Sequence, residues 1–223
     1  MAGLTGRAIL ILSMAGALTA ASTPALQAGS RWEFEARLGG AWNAPLPIVF
    51  RQQGHDDVRV NARWRAEALK PPIYYACRLA TWRGGGGWAL DFTHDKLRLE
   101  DPPPEVRSFS ISHGYNLVTV QRWGERGGWR YGAALGTVLA HPEGEIRGQR
   151  IEGAGGSFGG YHLAGPTAGV LAGRSRFLRS RLYATGEAML TLSFARLPIP
   201  GGTARIPNLA AHVTVGLGWS VPR

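Results

Sequence analysis

Cysteine is nearly absent: the 223 residues contain one, Cys77. A single thiol cannot build an internal disulfide framework, a zinc ribbon or a CxxC redox pair. Lysine is almost as scarce, Lys70 and Lys96 being the only two. Past the first segment no apolar run approaches the roughly 20 residues of a membrane-spanning helix, which excludes a polytopic helical membrane protein. Charged residues make up 18% against 44% hydrophobic, so the chain is not a disordered basic tail. HExxH, P-loop, dinucleotide and haem CxxCH signatures are all missing.

What is there is 32 Gly, 8 Trp, and 25 Lys+Arg against 15 Asp+Glu, a formal charge of +10. The length suits one domain. Arg7 precedes an apolar stretch, Ala8 to Ala21, and small residues follow. That order predicts a secretory signal peptide over residues 1–28, cleaved between 20 and 28. A single domain then spans 30–223.

After residue 30 the pattern has period 2. Trp32, Phe34, Ala36 and Leu38 share one face, while Arg31, Glu33, Glu35 and Arg37 share the other. Strand side chains alternate between faces, so this is a strand with one apolar and one charged side. The last strand repeats the pattern: Leu209, Ala211, Val213, Val215, Leu217 and Trp219 oppose His212, Thr214, Gly216 and Gly218. Further strands fall near 73–82, 88–98, 107–122, 129–141, 161–174 and 180–197. Short connections alternate with long ones, the longest near 43–72 and 142–160. This predicts an all-β fold: an eight-stranded, antiparallel, up-and-down transmembrane β-barrel of the outer-membrane type. Segment 58–67 alternates well enough to be an outer extension or a ninth strand. Six tryptophans (Trp32, Trp82, Trp88, Trp123, Trp129 and Trp219) fall at the predicted periplasmic rim, where an indole suits the membrane interface. The barrel reading implies the bacterial outer membrane, insertion by the barrel-assembly machinery and a monomer.

Parity then sorts the polar residues. A narrow barrel fills its inside with ion pairs, for which Glu33, Glu35, Arg37, Arg78 and Glu187 are placed. His212, Glu187 and Asp95 point inward, and His94 points to lipid. In RSFSISHGYNLVTV, the serines and Asn116 take the inner face, and His113 takes the parity of Phe109 and Ile111; a histidine facing lipid is costly, so His113 argues for a bulge or an outer-surface site. His55 and His141 read as solvated loop residues. His94, His113, His162 and His212 gather towards the outer end, with ligand chemistry suited to a divalent metal ion. Acid/base candidates there are His94, Asp95, His113, Asn116 and Glu187. Arg63, Arg98 and Arg107 are placed for the phosphates of lipid A, since a guanidinium binds phosphate bidentately. Nucleic acid is excluded as a partner by secretion and an apolar outer face.

The segments KPPIYYACRLATW, WALDFTHDKLRL, VRSFSISHGYNLVTV, YHLAGPTAG and HVTVGLGW resemble a proteobacterial outer-membrane family of lipid A oxidases. The resemblance implies oxidation of the proximal glucosamine of lipid A to 2-aminogluconate by oxygen, with hydrogen peroxide released. It points to Thr93–Asp95 and Ser112–Asn116, and supplies no further catalytic residues. A lipid A deacylase barrel is the alternative enzyme, for which Ser112, His113 and Asn116 offer the residue types. Adjacent Ser and His point to opposite faces of a regular strand, however. The non-enzymatic alternative is a structural or surface-interaction barrel.

Overall fold

A computed structural model describes residues 29–151 and 159–223. The expected signal peptide and part of the loop near 142–160 lie outside the described residues. The fold is all-β, as twelve strands: β1 (Arg31–Asn43), β2 (Leu46–Gln52), β3 (Val58–Arg65), β4 (Tyr75–Arg83), β5 (Gly86–Glu100), β6 (Val106–Arg126), β7 (Trp129–Ala140), β8 (Glu143–Ile146), β9 (Gln149–Ile151), β10 (His162–Phe177), β11 (Leu182–Ile199) and β12 (Gly202–Pro222).

The expectation of an eight-stranded barrel is corrected by this topology. The strands form one twelve-stranded sheet. A ring of antiparallel pairings runs through eight of them, in the order β1, β4, β5, β6, β7, β10, β11 and β12. The other four extend the sheet at the end where the long connections lie. β2 pairs with β12 and β3, β3 pairs with β5, and β8 pairs with β6 and β9. The connections expected near 43–72 and 142–160 therefore carry strands of their own. Their apolar residues alternate, and alternation pairs where a neighbour offers a free edge.

In the ring half, the exposed side chains are apolar: Phe34 and Leu38 on β1, Leu79 on β4, Leu135 on β7, Leu190 and Leu192 on β11, Leu217 on β12. The inward side chains are polar and buried. This belt is the surface that a transmembrane sheet turns to lipid. Lipid offers backbone groups no hydrogen bonds, and the ring meets that constraint by pairing its strands with one another.

Inside the belt, four buried arginines meet four buried carboxylates. Glu33 accepts from Arg31 at 2.8 Å and from Arg130 at 2.9 Å. Glu35 pairs with Arg78 at 2.9 Å and Arg130 at 3.3 Å. Glu187 joins Arg37 and Arg78, each at 2.7 Å, and Asp91 pairs with Arg37. Tyr183 donates its hydroxyl to this network, 3.1 Å from Glu33 and 3.0 Å from Glu35. Its ring occupies the space that a Cβ on Gly218 would need, with Cζ only 2.1 Å away. Glycine there makes room for the ring that bridges the two carboxylates.

Two of the six rim tryptophans turn inward. Trp82 and Trp123 are buried. The Arg130 guanidinium stacks 4.6 Å from the Trp82 ring, and Arg78 stacks 4.5 Å from Trp123. Trp32, Trp88, Trp129 and Trp219 face outward, and three of them carry a stacked arginine, from Arg223, Arg122 and Arg174 in turn. The space left among the inner charges is about 10 Å³, the threshold for one water molecule. The ring is plugged at this level.

Above the belt the two faces exchange character. Ile48, Phe50, Val58, Ala62 and Trp64 of β2 and β3 are buried with Leu97, Leu99, Phe109, Ile146, Leu197 and Ile206. Phe50 and Phe109 meet edge to face at 5.1 Å. The outward positions here are charged: Arg51, Arg59, Arg63, Arg65, Arg98 and Arg107. This half is built like a water-soluble β-protein, apolar within and charged without.

Replacing Glu187 with Ala removes the carboxylate that Arg37 and Arg78 share and leaves a buried positive charge in excess. The variant should lose about 3–5 kcal/mol of stability, read from its urea midpoint in detergent micelles. An unchanged midpoint would mean that the network is dispensable.

Candidate functional site

The polar side chains that gather on the outside of the ring do so because of a bulge in β6. Asp95 of β5 faces Tyr115, but Leu97 faces Ile111, so β6 carries extra residues between Ile111 and Tyr115. Gly114 takes φ +135° there, and a Cβ would lie 2.4 Å from the Asn116 amide. Such a backbone favours glycine. The extra residues throw His113 out to the surface, while Phe109, Ile111 and Tyr115 stay buried.

The inner-face assignment of β6 is thereby reversed. Phe109 and Ile111 are core residues, and Ser108 is exposed. Asn116 faces outward, its Oδ1 lying 2.8 Å from Nδ1 of His94. The expectation carried the membrane rule, apolar outside, above the level where it applies.

His113, His141 and Glu143 come together on this outer face, with candidate ligand atoms all within 4.8 Å of one another. Nδ1 of His113 pairs with Oε1 of Glu143, and Nε2 of His141 lies 3.8 Å from the same oxygen. Ser112 donates to the other carboxylate oxygen at 2.6 Å. The His113 and His141 rings are 5.0 Å apart, and Tyr161 meets His141 edge on at 5.2 Å. Tyr161 also donates its hydroxyl to the His113 carbonyl at 2.7 Å, and burial pushes its phenol above the ordinary range, so it stays a donor. Nδ1 of His141 is buried without a hydrogen-bond partner among the described residues. Two imidazoles and a carboxylate are a donor set for zinc or a similar borderline ion, with a further position open. His141, read from sequence as a solvated loop residue, is only half exposed and belongs to this group. Its partner is two residues away, Glu143 at the start of β8, a spacing with no diagnostic value by itself.

The other expected site residues are dispersed. His94 is on the outer face nearby, stacked on Tyr75 at 5.0 Å. His162 lies at the start of β10 and is half exposed. His212 is inside the ring, with Nδ1 3.1 Å from the Tyr74 hydroxyl and Nε2 3.0 Å from Thr191 Oγ1. The strand wall therefore separates it from His113. Asp95 is buried inside, accepting from the Lys96 amide at 2.8 Å. Glu187 is engaged in the ion-pair network. Arg63, Arg98 and Arg107 lie on the outer sheet, and each has a carboxylate: Asp101, Glu67 at 3.6 Å and Glu145 at 3.4 Å.

No family model and no curated protein matches the chain. Solved structures do. OprG from Pseudomonas aeruginosa matches at 8% identity over 88% of this chain and 98% of its own, with a TM-score of 0.47. Ail, the attachment invasion locus protein of Yersinia pestis, matches at 9% over 88% and 100%, TM-score 0.39. Neisserial surface protein A matches at 8% over 86% and 96%, TM-score 0.39. At these scores the likenesses do not bear on what the chain does.

Titration of the folded protein with zinc should reveal a site lost in His113→Ala and in Glu143→Gln and retained in His212→Ala, as isothermal calorimetry would record. Equal zinc binding by His113→Ala would remove the trio as a metal site.

Proposed function

We propose that this outer-membrane chain is a surface-interaction protein: a plugged ring of strands that anchors a second, outward-projecting sheet at the cell surface. The reversal of polarity along the strands carries this reading. Below it the chain is shaped for lipid, and above it for water. A sheet with its own apolar core and a charged exterior is a surface for meeting other molecules. The ion pairs and tryptophans that fill the ring argue against transport through it. Short turns at one end and the extended sheet at the other give the orientation usual for bacterial outer-membrane proteins, with the sheet outside the cell.

A second reading keeps the lipid A chemistry. It is favoured by one observation, the His113, His141 and Glu143 trio on the outer face, at the level where the ring gives way to the sheet above it. A metal held there would supply Lewis-acid or redox chemistry. Glu143 would orient His113, and Tyr161 would hold the bulge that presents it. Oxidation of the proximal glucosamine would then occur from the lipid side.

Mass spectrometry of lipid A from cells with and without the chain separates the two. The interaction reading expects no change in mass. Gain of one oxygen, abolished by His113→Ala, would replace it with the oxidase reading, and loss of an acyl chain would indicate the deacylase. Planar bilayers should show no steady conductance from the folded protein, and sustained channel steps would contradict the plug.

A further inference from the structure

Two neighbouring strands change from apolar to cationic at the same level. Along the outer face of β11 the exposed side chains run Leu190, Leu192, Phe194 and then Arg196. Along β12, read from the opposite end, the outward positions run from exposed Leu217 through half-buried Val215, Val213, Ala211, Leu209 and Pro207 to exposed Arg205. Arg196 and Arg205 are directly opposite each other in the antiparallel register. Both are exposed. Like charges placed directly across a strand pair repel and destabilise it.

No carboxylate answers this pair among the described residues. On the outer sheet Arg63, Arg65, Arg98 and Arg107 differ, each having an acidic partner. On the other side of Arg205 stands Val49 of β2. Asp57, at the far end of that hairpin, is already shared by Arg51 and Arg59. The two guanidinium groups border a groove of about 460 Å³ whose other walls include Pro47, Val49, Phe194 and Pro207.

We infer that Arg196 and Arg205 hold the phosphate of a membrane lipid whose acyl chains lie along the apolar stripes of β11 and β12. The chemistry commits to that occupant. A guanidinium pair matches a phosphate dianion and cancels the repulsion across the strands. The stripe beneath it is hydrocarbon for several residues on both strands, which a free anion would not use. The arginines stand at the end of the belt from which the outer sheet projects, so the lipid belongs to the outer leaflet. A phosphorylated glycolipid of the lipid A type has the required parts. The inference goes beyond the surface-interaction reading and is independent of any chemistry at His113.

Native mass spectrometry of the folded chain in detergent micelles tests this. The probe is an equimolar mixture of phosphorylated lipid A and its dephosphorylated form. The wild-type chain should retain the phosphorylated form in excess by about tenfold or more, as two charge-assisted contacts warrant. R196Q/R205Q should lose that preference, while R179Q/R181Q, at the opposite rim, should keep it. Millimolar inorganic phosphate should leave the lipid adduct in place. Equal retention of the two lipids by the wild-type chain would overturn the inference without any variant having to fold. Persistence of the preference in R196Q/R205Q would overturn it too, and release of the lipid by inorganic phosphate would reassign the pair to free anion.

Discussion

Charge neutrality inside the ring is the condition on which the rest of the structure depends. A sheet that faces hydrocarbon on its outside has nowhere to put polar side chains except inward, and an uncompensated charge there is costly. Arg31, Arg37, Arg78 and Arg130 are met by Glu33, Glu35, Asp91 and Glu187, and half-buried Glu125 reaches Arg31 and Arg130 from the edge of the network. No arginine relies on one carboxylate alone in the centre: Arg78 reaches both Glu35 and Glu187, and Arg130 both Glu33 and Glu35. The network ties β1, β4, β5, β7 and β11 across the inside, where backbone pairing cannot reach. Trp82 and Trp123 then close its lower side by stacking on the same guanidinium groups.

The same strands obey the opposite rule a few residues further on. β11 carries Glu187, Thr191 and Ser193 inward within the belt, then Leu197 and Ile199 inward above it. No break in the strand marks the change. Solvent alone decides it: lipid outside demands a polar inside, and water outside permits an apolar one. The His113 trio and the Arg196–Arg205 pair both lie on the outer face, where the ring gives way to the sheet above it.

Period-2 alternation made most of the strands legible. The ends of β1, β4, β7 and β11 fall close to where the pattern places them, and the inward set Glu33, Glu35, Arg37, Arg78 and Glu187 followed from parity. Alternation separates two faces without saying which is inside. For β6 the serine face was taken as inner, although above the belt the Phe109 face is the one that packs. Trp82 shares its parity with Arg78 and so had to point inward with it; its position beside a turn suggested otherwise. Of the four added strands, β3 falls in segment 58–67, where alternation offered an outer extension or a ninth strand; β2, β8 and β9 were hidden because they are too short for alternation to show. His113 and His141 meet because a two-residue excess in β6 turns one towards the other; the cost of a lipid-facing histidine pointed to a bulge at His113, while nothing in the sequence pointed to His141 as its neighbour.

The pairing of β2 with β12 has a kinetic meaning. Leu46–Gln52 meets Gly202–Arg205 across about 150 residues of chain, and β1 also waits for β12. Contacts this distant in sequence form late. During synthesis and export, neither the ring nor the apolar core above it can be complete before the last strand has arrived. Both would be secured in one event, as β12 docks against β1 along most of its length and against β2 at its upper end. Until then the chain exposes Ile48 and Phe50 to water on one stretch and the edge of β1 on another, the two surfaces most apt to aggregate. The C-terminal strand is thus the latch of two compartments that live in different solvents.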